Sequence, residues 1–114
     1  MTDADHQAVR EVAVPNRQGM HARPVMAFVD LAQKFSADIA VSNISRELVE
    51  VVDGKSAMQM MLLEATQGSV LRIRATGGDA VLAADALVAL VRNAFGMDQA
   101  GASRPADPGA SQSG

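Results

Sequence analysis

The strictest constraint on the fold of this chain is an alternation of apolar and charged residues at positions 70–75. Leu71, Ile73 and Ala75 alternate with Arg72 and Arg74. Successive side chains of a β-strand point to opposite faces, so this pattern predicts a strand with one face in the core and the other in water. It is the strongest strand signal in the chain.

Shorter alternating segments predict three further strands, and apolar residues three and four positions apart predict three helices. The predicted strands cover residues 9–14, 38–42, 48–52 and 70–75, and residues 43–47 form the connection between the second and third. The predicted helices run from about 22 to 35, from the N-cap Ser56 to Glu64, and onward from 77–79. The order β-α-β-β-α-β-α indicates an α+β open sandwich.

The first and last helices each carry a stripe of residues expected to be buried. In the first helix these are Val25, Phe28, Val29, Ala32 and Phe35, and in the last Val81, Ala84, Leu87, Val88 and Val91. Asp79 is expected at the N-cap or in the first turn of the last helix, with Asp85 and Arg92 in water. The second helix has more apolar positions than one face can bury, so its methionines either fill the core or form an adaptable contact surface.

The segment 16–24 is polar and turn-prone, and it delivers a histidine to the start of the first helix. Gly19 allows a sharp bend, and Pro24 suits the first helical turn. His21 therefore lies close to the N-cap, beside backbone N–H groups without helical partners, where an anion is favoured. Arg23 can add charge-assisted hydrogen bonds to that anion. An imidazole, free amides and a guanidinium at one point suit a phosphorylated histidine.

Two other interpretations of His21 remain. A single histidine near a helix start is usually a solvated surface residue. A metal site is disfavoured, because the only other histidine is His6 in a polar leader and the chain has no cysteine. We expect neither a metal nor a cofactor.

Composition limits the class of protein. A chain of 114 residues forms one domain at most, and a formal net charge of −3 gives no support for nucleic-acid binding. The absence of cysteine suits a reducing cytoplasm, and an acidic N-terminus without long apolar runs predicts neither a signal peptide nor a membrane span. We expect a cytoplasmic monomer with a loose leader at 1–8, a folded domain at 9–97 and a disordered tail at 98–114.

Two motifs resemble those of one family. Residues 19–24, Gly-Met-His-Ala-Arg-Pro, resemble the active-site segment of the HPr family, the histidine-containing phosphocarriers of the bacterial phosphoenolpyruvate-dependent phosphotransferase system. Residues 52–58, Val-Asp-Gly-Lys-Ser-Ala-Met, are similar to the regulatory-serine segment of that family. The resemblance covers about residues 9–95. It implies a four-stranded antiparallel sheet with three helices on one face, and it implies that the first and second helices start near each other, so that His21 and Ser56 share a surface.

The resemblance also implies a function and roles for particular residues. The chain would not be an enzyme but a carrier that takes a phosphoryl group from Enzyme I onto Nδ1 of His21 and passes it to EIIA-type acceptor proteins. Arg23 would stabilise the phosphate, while Gly19, Ala22 and Pro24 position the backbone. Ser56 would be phosphorylated by a dedicated HPr kinase/phosphorylase.

A docking surface for partner proteins is expected around these motifs. Its apolar members would be Met20, Ala57, Met58 and Met61, with Arg17 and Lys55 steering acidic partners. The 43–47 hairpin looks longer than is usual in the family, and we expect it to lie away from His21 without a chemical role. The alternative function is a regulatory binding module controlled by phosphorylation of Ser56.

Overall fold

The computed structural model describes residues 6–96, and the predicted tail and most of the predicted leader lie outside the described residues. The elements are β1 Gln7–Ala13, α1 Ala22–Ala32, β2 Asp38–Asn43, β3 Val51–Asp53, α2 Ala57–Met61, β4 Val70–Thr76 and α3 Ala80–Arg92, followed by a 3-10 turn at Ala94–Gly96. This order is the predicted β-α-β-β-α-β-α. The first strand begins two residues earlier than expected, because Gln7 pairs with Thr76.

The four strands form one antiparallel sheet in the order β1-β4-β2-β3, which confirms the predicted architecture. In β4, the side chains of Leu71, Ile73 and Ala75 are fully buried under the helices, while Arg72 and Arg74 are exposed on the other face. The helices therefore cover one face of the sheet and leave the other in water.

The buried face of α3 differs from the prediction near its start, where Ala80 and Ala83 are buried in place of Val81. Ala83, Ala84, Leu87 and Val88 are buried as an i, i+3, i+4 stripe, but Val81 is exposed. One residue corresponds to about 100° of rotation around a helix, so the buried alanines place the Val81 side chain on the solvent side. In α1 the predicted stripe is buried through Ala32.

Three predicted elements are shorter in the structure. The α1 helix ends at Ala32, and residues 33–35 continue as tight turns with Phe35 half-buried. The β3 strand covers only Val51–Asp53, because β2 ends at Asn43, whose Oδ1 accepts a hydrogen bond from the Ser45 N–H at 3.1 Å and starts a turn. The α2 helix ends at Met61 rather than Glu64, since Glu64 has a left-handed φ of 49°.

Asp79 lies at the N-cap of α3, but its side chain serves another segment. Its carboxylate accepts hydrogen bonds from the backbone N–H groups of Ser36 at 2.9 Å and Ala37 at 2.8 Å, and makes no cap hydrogen bond to its own helix. The hydrogen bond from Ser36 lowers the pKa of Asp79 below its ordinary value. Asp79 therefore joins the start of α3 to the segment that leads into β2.

No helix among residues 6–96 has the length and apolar character needed to cross a membrane.

Candidate functional site

The loop that carries His21 is attached to a second loop distant in sequence. The Val14 N–H donates to the Ser69 carbonyl and the Gly68 N–H donates to the Val14 carbonyl, both at 2.8 Å. Further along, the Met20 N–H donates to the Ala65 carbonyl at 2.9 Å. Residues 14–20 are thus held along residues 65–69, and this attachment sets the position from which α1 begins.

Gly19 is required where these two loops touch. Its φ is +69°, a region that disfavours side chains, and a Cβ at this position would lie 2.4 Å from the Ala65 carbonyl oxygen. The Gly19 N–H donates to the Asn16 carbonyl at 3.1 Å, which closes a turn just before the histidine.

Asn16 is a site residue that the sequence reading did not single out. It is buried, and its Nδ2 donates to the Gly19 carbonyl at 2.7 Å, while its Oδ1 has no hydrogen-bond partner among the described residues. The available signal was an asparagine next to a proline in a turn-prone segment, which predicts a turn but not a buried side chain.

His21 is the N-cap residue of α1, in extended conformation with φ −106° and ψ −170°. Its carbonyl accepts the first helical hydrogen bond from the Val25 N–H at 3.0 Å, and its side chain makes no cap hydrogen bond. Pro24 is buried and has no N–H. The N–H groups of Ala22 and Arg23 are consequently the first-turn donors left for another acceptor. The imidazole is half-buried beside them.

The electrostatic environment of this helix start is positive. Arg23 is exposed, and its guanidinium forms no ion pair or side-chain hydrogen bond with any residue in 6–96. The first turn contains no acidic residue. Free backbone donors, the positive end of the helix dipole and a guanidinium all favour a dianion at this point.

Ser56 is the N-cap of α2, as its position in the sequence predicts. Its Oγ accepts a hydrogen bond from the Gln59 N–H at 3.2 Å, while Gln59 Oε1 accepts from the Asp53 N–H at 3.0 Å. The Ser56 N–H itself donates to the Asp53 carbonyl at 3.1 Å, and these hydrogen bonds together fix the start of a very short helix.

His21 and Ser56 lie at opposite ends of α1, so the expectation that the first and second helices start near each other is wrong. The Lys55 carbonyl accepts from Gln33 Nε2 at 3.2 Å, and Lys55 Nζ donates to the Phe35 carbonyl at 2.8 Å. These contacts place the start of α2 at the C-terminal end of α1, about 18 Å of helix rise from His21. Because Ala65 follows α2 and contacts Met20, the end of α2, not its start, lies beside the histidine.

The predicted docking residues fall into two groups. Met58 and Met61 are exposed on α2, Arg17 is exposed before α1, and Lys55 and Ala57 are half-buried. Met20 is buried in the core, so its predicted place on an exposed docking surface is corrected. Met60 is also fully buried, which divides the α2 methionines between core and surface.

Within residues 6–96, no three His, Cys, Asp or Glu side chains are grouped so that they could hold a metal ion. The free groups at the start of α1 are suited to an oxyanion rather than a cation. Fold and site together define a class, a small open-faced α+β sandwich with a histidine at an anion-accepting helix start.

Comparison with known proteins specifies that class. A protein-family model, that of the HPr component phosphorylation site of the phosphotransferase system (PTS), matches residues 8–93 of the sequence. The phosphocarrier protein NPr of Proteus mirabilis is 40% identical over 89 residues, which are 78% of this chain and 96% of the relative. The phosphocarrier protein HPr of Xylella fastidiosa is 40% identical over 88 residues, which are 77% and 94% of the two chains.

Solved structures agree with the sequence comparison. The crystal structure of an HPr from Thermoanaerobacter tengcongensis matches with a TM-score of 0.72 and 36% identity, covering 80% of this chain and 98% of that one. The HPr of Bacillus anthracis matches with a TM-score of 0.69 and 34% identity, covering 76% and 99%. The chain belongs to the HPr family, whose members are phosphoryl carriers of the phosphotransferase system and not catalysts.

Proposed function

We propose that this protein carries a phosphoryl group on Nδ1 of His21, receiving it from phosphorylated Enzyme I and passing it to an EIIA-type acceptor. The observation that carries the proposal is the half-buried His21 at the start of α1, next to the unpaired N–H groups of Ala22 and Arg23 and the free Arg23 guanidinium.

The proposed reaction is an in-line phosphoryl transfer. The lone pair of His21 Nδ1 forms a new bond to phosphorus as the bond from phosphorus to the donor's leaving atom breaks, and that atom keeps the electron pair. Charge on the phosphoryl oxygens is stabilised by the two amides and the guanidinium of Arg23. Few groups are needed, since a carrier must release the phosphoryl group as readily as it accepts it.

Intact-protein mass after incubation with phosphoenolpyruvate, Mg²⁺ and Enzyme I tests this proposal. We expect the wild type to gain one acid-labile phosphoryl group, and His21→Ala to gain none. The matched control is His6→Ala, which removes the other histidine, an exposed residue just before β1, and keeps full labelling. No labelling of the wild type by an Enzyme I that phosphorylates another carrier contradicts the proposal.

We also propose that phosphorylation of Ser56 regulates the carrier. The alternative function is a regulatory binding module that is controlled by phosphorylation of Ser56 and carries no phosphoryl group on His21. Ser56 Oγ lies at a helix N-terminus, where a phosphate carrying roughly −1.5 to −2 charges is tolerated by the fold. The position at the far end of α1 from His21 supports an effect on docking and not on the imidazole itself.

The Ser56→Asp variant tests this regulation. We expect a higher KM for Enzyme I and an unchanged kcat, because the added charge lies among the exposed docking residues of α2. Ser56→Asn, which keeps the cap without a charge, is the matched control and retains the wild-type KM. Equal KM values for the two variants contradict an electrostatic effect on docking.

We propose that the phosphoryl transfer to and from His21 takes place in the cytoplasm, since a chain without cysteine suits a reducing compartment.

A further inference from the structure

The strand β2 carries an amide side chain at a position where its pattern predicts an apolar one. Ile39 and Val41 face the core from alternate positions of this strand, and the next position in that series is Asn43. Asn43 is as buried as its two apolar neighbours, with only 2% of the residue exposed. A buried amide destabilises a fold unless its donor and acceptor atoms find partners. The contacts of Asn43 therefore have to account for its place in the core.

Both polar atoms of the Asn43 side chain are hydrogen-bonded. Its Oδ1 accepts from the Ser45 N–H at 3.1 Å, within the connection between β2 and β3. Its Nδ2 donates to the Leu63 carbonyl at 3.2 Å, just past the end of α2. Leu63 is buried, and its carbonyl accepts no backbone hydrogen bond in the part of the chain that the structure describes. Asn43 thus supplies a partner that the end of α2 would otherwise lack.

A second side chain from the same connection contacts the end of α2. Arg46 Nη1 donates to the Leu62 carbonyl at 3.2 Å, and Arg46 Nη2 lies 3.4 Å from Glu64 Oε1. Glu64 has a left-handed φ of 49°, which turns the chain directly after α2. The connection between β2 and β3 therefore holds residues 62–64 through two side chains, Asn43 in the core and Arg46 at the surface.

The next residue after this segment binds the histidine loop. The Ala65 carbonyl accepts from the Met20 N–H at 2.9 Å, and Met20 directly precedes His21. The fit is tight, because a Cβ on Gly19 would lie 2.4 Å from the same carbonyl oxygen. A shift of the Ala65 carbonyl must therefore displace the start of α1. The connection that we expected to lie away from His21 is thus linked to the histidine loop through the end of α2.

We infer that Asn43 is a positioning residue for phosphoryl transfer at His21, acting through the Leu63 and Ala65 carbonyls. The inference rests on the proposed carrier function. Phosphoryl transfer depends mainly on the placement of the reacting groups, so a small displacement of the imidazole slows the reaction. Asn43 does not touch the reacting atoms, and its removal lowers kcat more than it raises KM.

The variant Asn43→Leu tests this inference, because it completes the apolar pattern of β2 and removes the donor to Leu63. In steady-state transfer from phosphorylated Enzyme I, we expect a kcat about tenfold lower and a KM within about twofold of the wild-type value. Hydrogen exchange of the Met20 amide, measured by NMR relative to the amides of β4, should become about tenfold faster. The comparison with β4 separates local opening of the histidine loop from a change in global stability.

The matched control is Asp79→Asn, which weakens hydrogen bonds at the opposite end of β2. The Asp79 carboxylate binds the N–H groups of Ser36 and Ala37, and the asparagine has nearly the same size. This control lowers the stability of the protein, but it keeps the wild-type kcat and the wild-type relative exchange of Met20.

A second variant at the surface makes the test independent of core packing. Arg46, whose side chain is 36% exposed, is replaced in Arg46→Ala, which removes both contacts of this side chain with the end of α2. We expect kcat to fall about threefold, since an exposed ion pair and one hydrogen bond contribute less than a buried contact. The control Arg72→Ala removes another exposed ion pair, with Glu11 at 2.9 Å on the open face of the sheet, and keeps the wild-type kcat.

Two results with a folded Asn43→Leu overturn the inference. One is a wild-type kcat with wild-type exchange of Met20, and the other is an equal fall of kcat in Asp79→Asn, which would assign the effect to stability alone. If Asn43→Leu does not fold, a wild-type kcat in Arg46→Ala overturns the inference instead. Failure of the carrier function is distinguishable, since the wild type itself would then gain no phosphoryl group on His21.

Discussion

Replacing Gly19 by alanine should separate steric contact from backbone strain in the histidine loop. The Gly19 φ of +69° is unfavourable for alanine, and the new Cβ would meet the Ala65 carbonyl oxygen at 2.4 Å and the Thr66 Cα at 2.8 Å. Both neighbours are backbone atoms, so neither can move aside by a simple rotation of a side chain. The two loops must separate.

The cost follows from two contributions. A left-handed alanine costs roughly 1–2 kcal/mol relative to glycine. Separation of the loops also weakens the 2.9 Å hydrogen bond from the Met20 N–H to the Ala65 carbonyl, worth about 0.5–1.5 kcal/mol. Gly19→Ala should therefore lower the free energy of unfolding by about 1.5–3.5 kcal/mol, which leaves a typical domain folded but clearly weakened.

Gly68 is the matched control, because its φ is +91° and a Cβ there meets nothing within 4 Å. Gly68→Ala should show only the backbone cost of about 1–2 kcal/mol. Urea unfolding of both variants measures the difference, and transfer from Enzyme I should slow more in Gly19→Ala because His21 is displaced. Equal destabilisation of the two variants would refute the role assigned to the Ala65 contact.

Two further changes address the docking surface and the pH dependence of stability. Met58→Asp should keep the wild-type unfolding midpoint and raise the KM for Enzyme I, because Met58 is 81% exposed. Met60→Asp, at a fully buried position, should abolish folding. Circular dichroism measures the folding of both variants, and transfer kinetics measure the KM. Asp79→Asn should destabilise the protein at neutral pH by weakening the hydrogen bonds from Ser36 and Ala37. Since the pKa of Asp79 is lowered on folding, its stabilisation is complete above its unfolded value near 3.8 and is lost as pH falls through the folded value. The unfolding free energies of wild type and Asp79→Asn should converge in acid, and a constant difference down to about pH 2 would contradict this assignment.

Local pattern was sufficient to predict which secondary elements form, their order and the helix start at His21, but not the bounds of α1, β3 and α2. The alternation at 71–75 corresponds to the central strand β4, and Ser56 caps α2 as its position predicts. These features depend on neighbouring residues, whose periodicity reflects burial directly. Val81 shows the limit of what periodicity predicts. A shift of one residue in the buried stripe exposes this side chain, and the orientation of α3 on the sheet, which sets that shift, is a tertiary property.

The arrangement of the site was decided by contacts that have no periodicity. Asn16 became a buried clamp, and Met20 became a core residue, because the histidine loop folds onto the Ala65 segment. Likewise, the contact between Gln33 and Lys55 makes α2 run back along α1 and carries Ser56 away from His21. The sequence by itself pointed to the helix start at His21 and the N-cap Ser56 as the candidate sites. Only the tertiary structure decided which of them are neighbours, because hydrogen bonds between loops distant in the chain leave no repeating pattern in either loop.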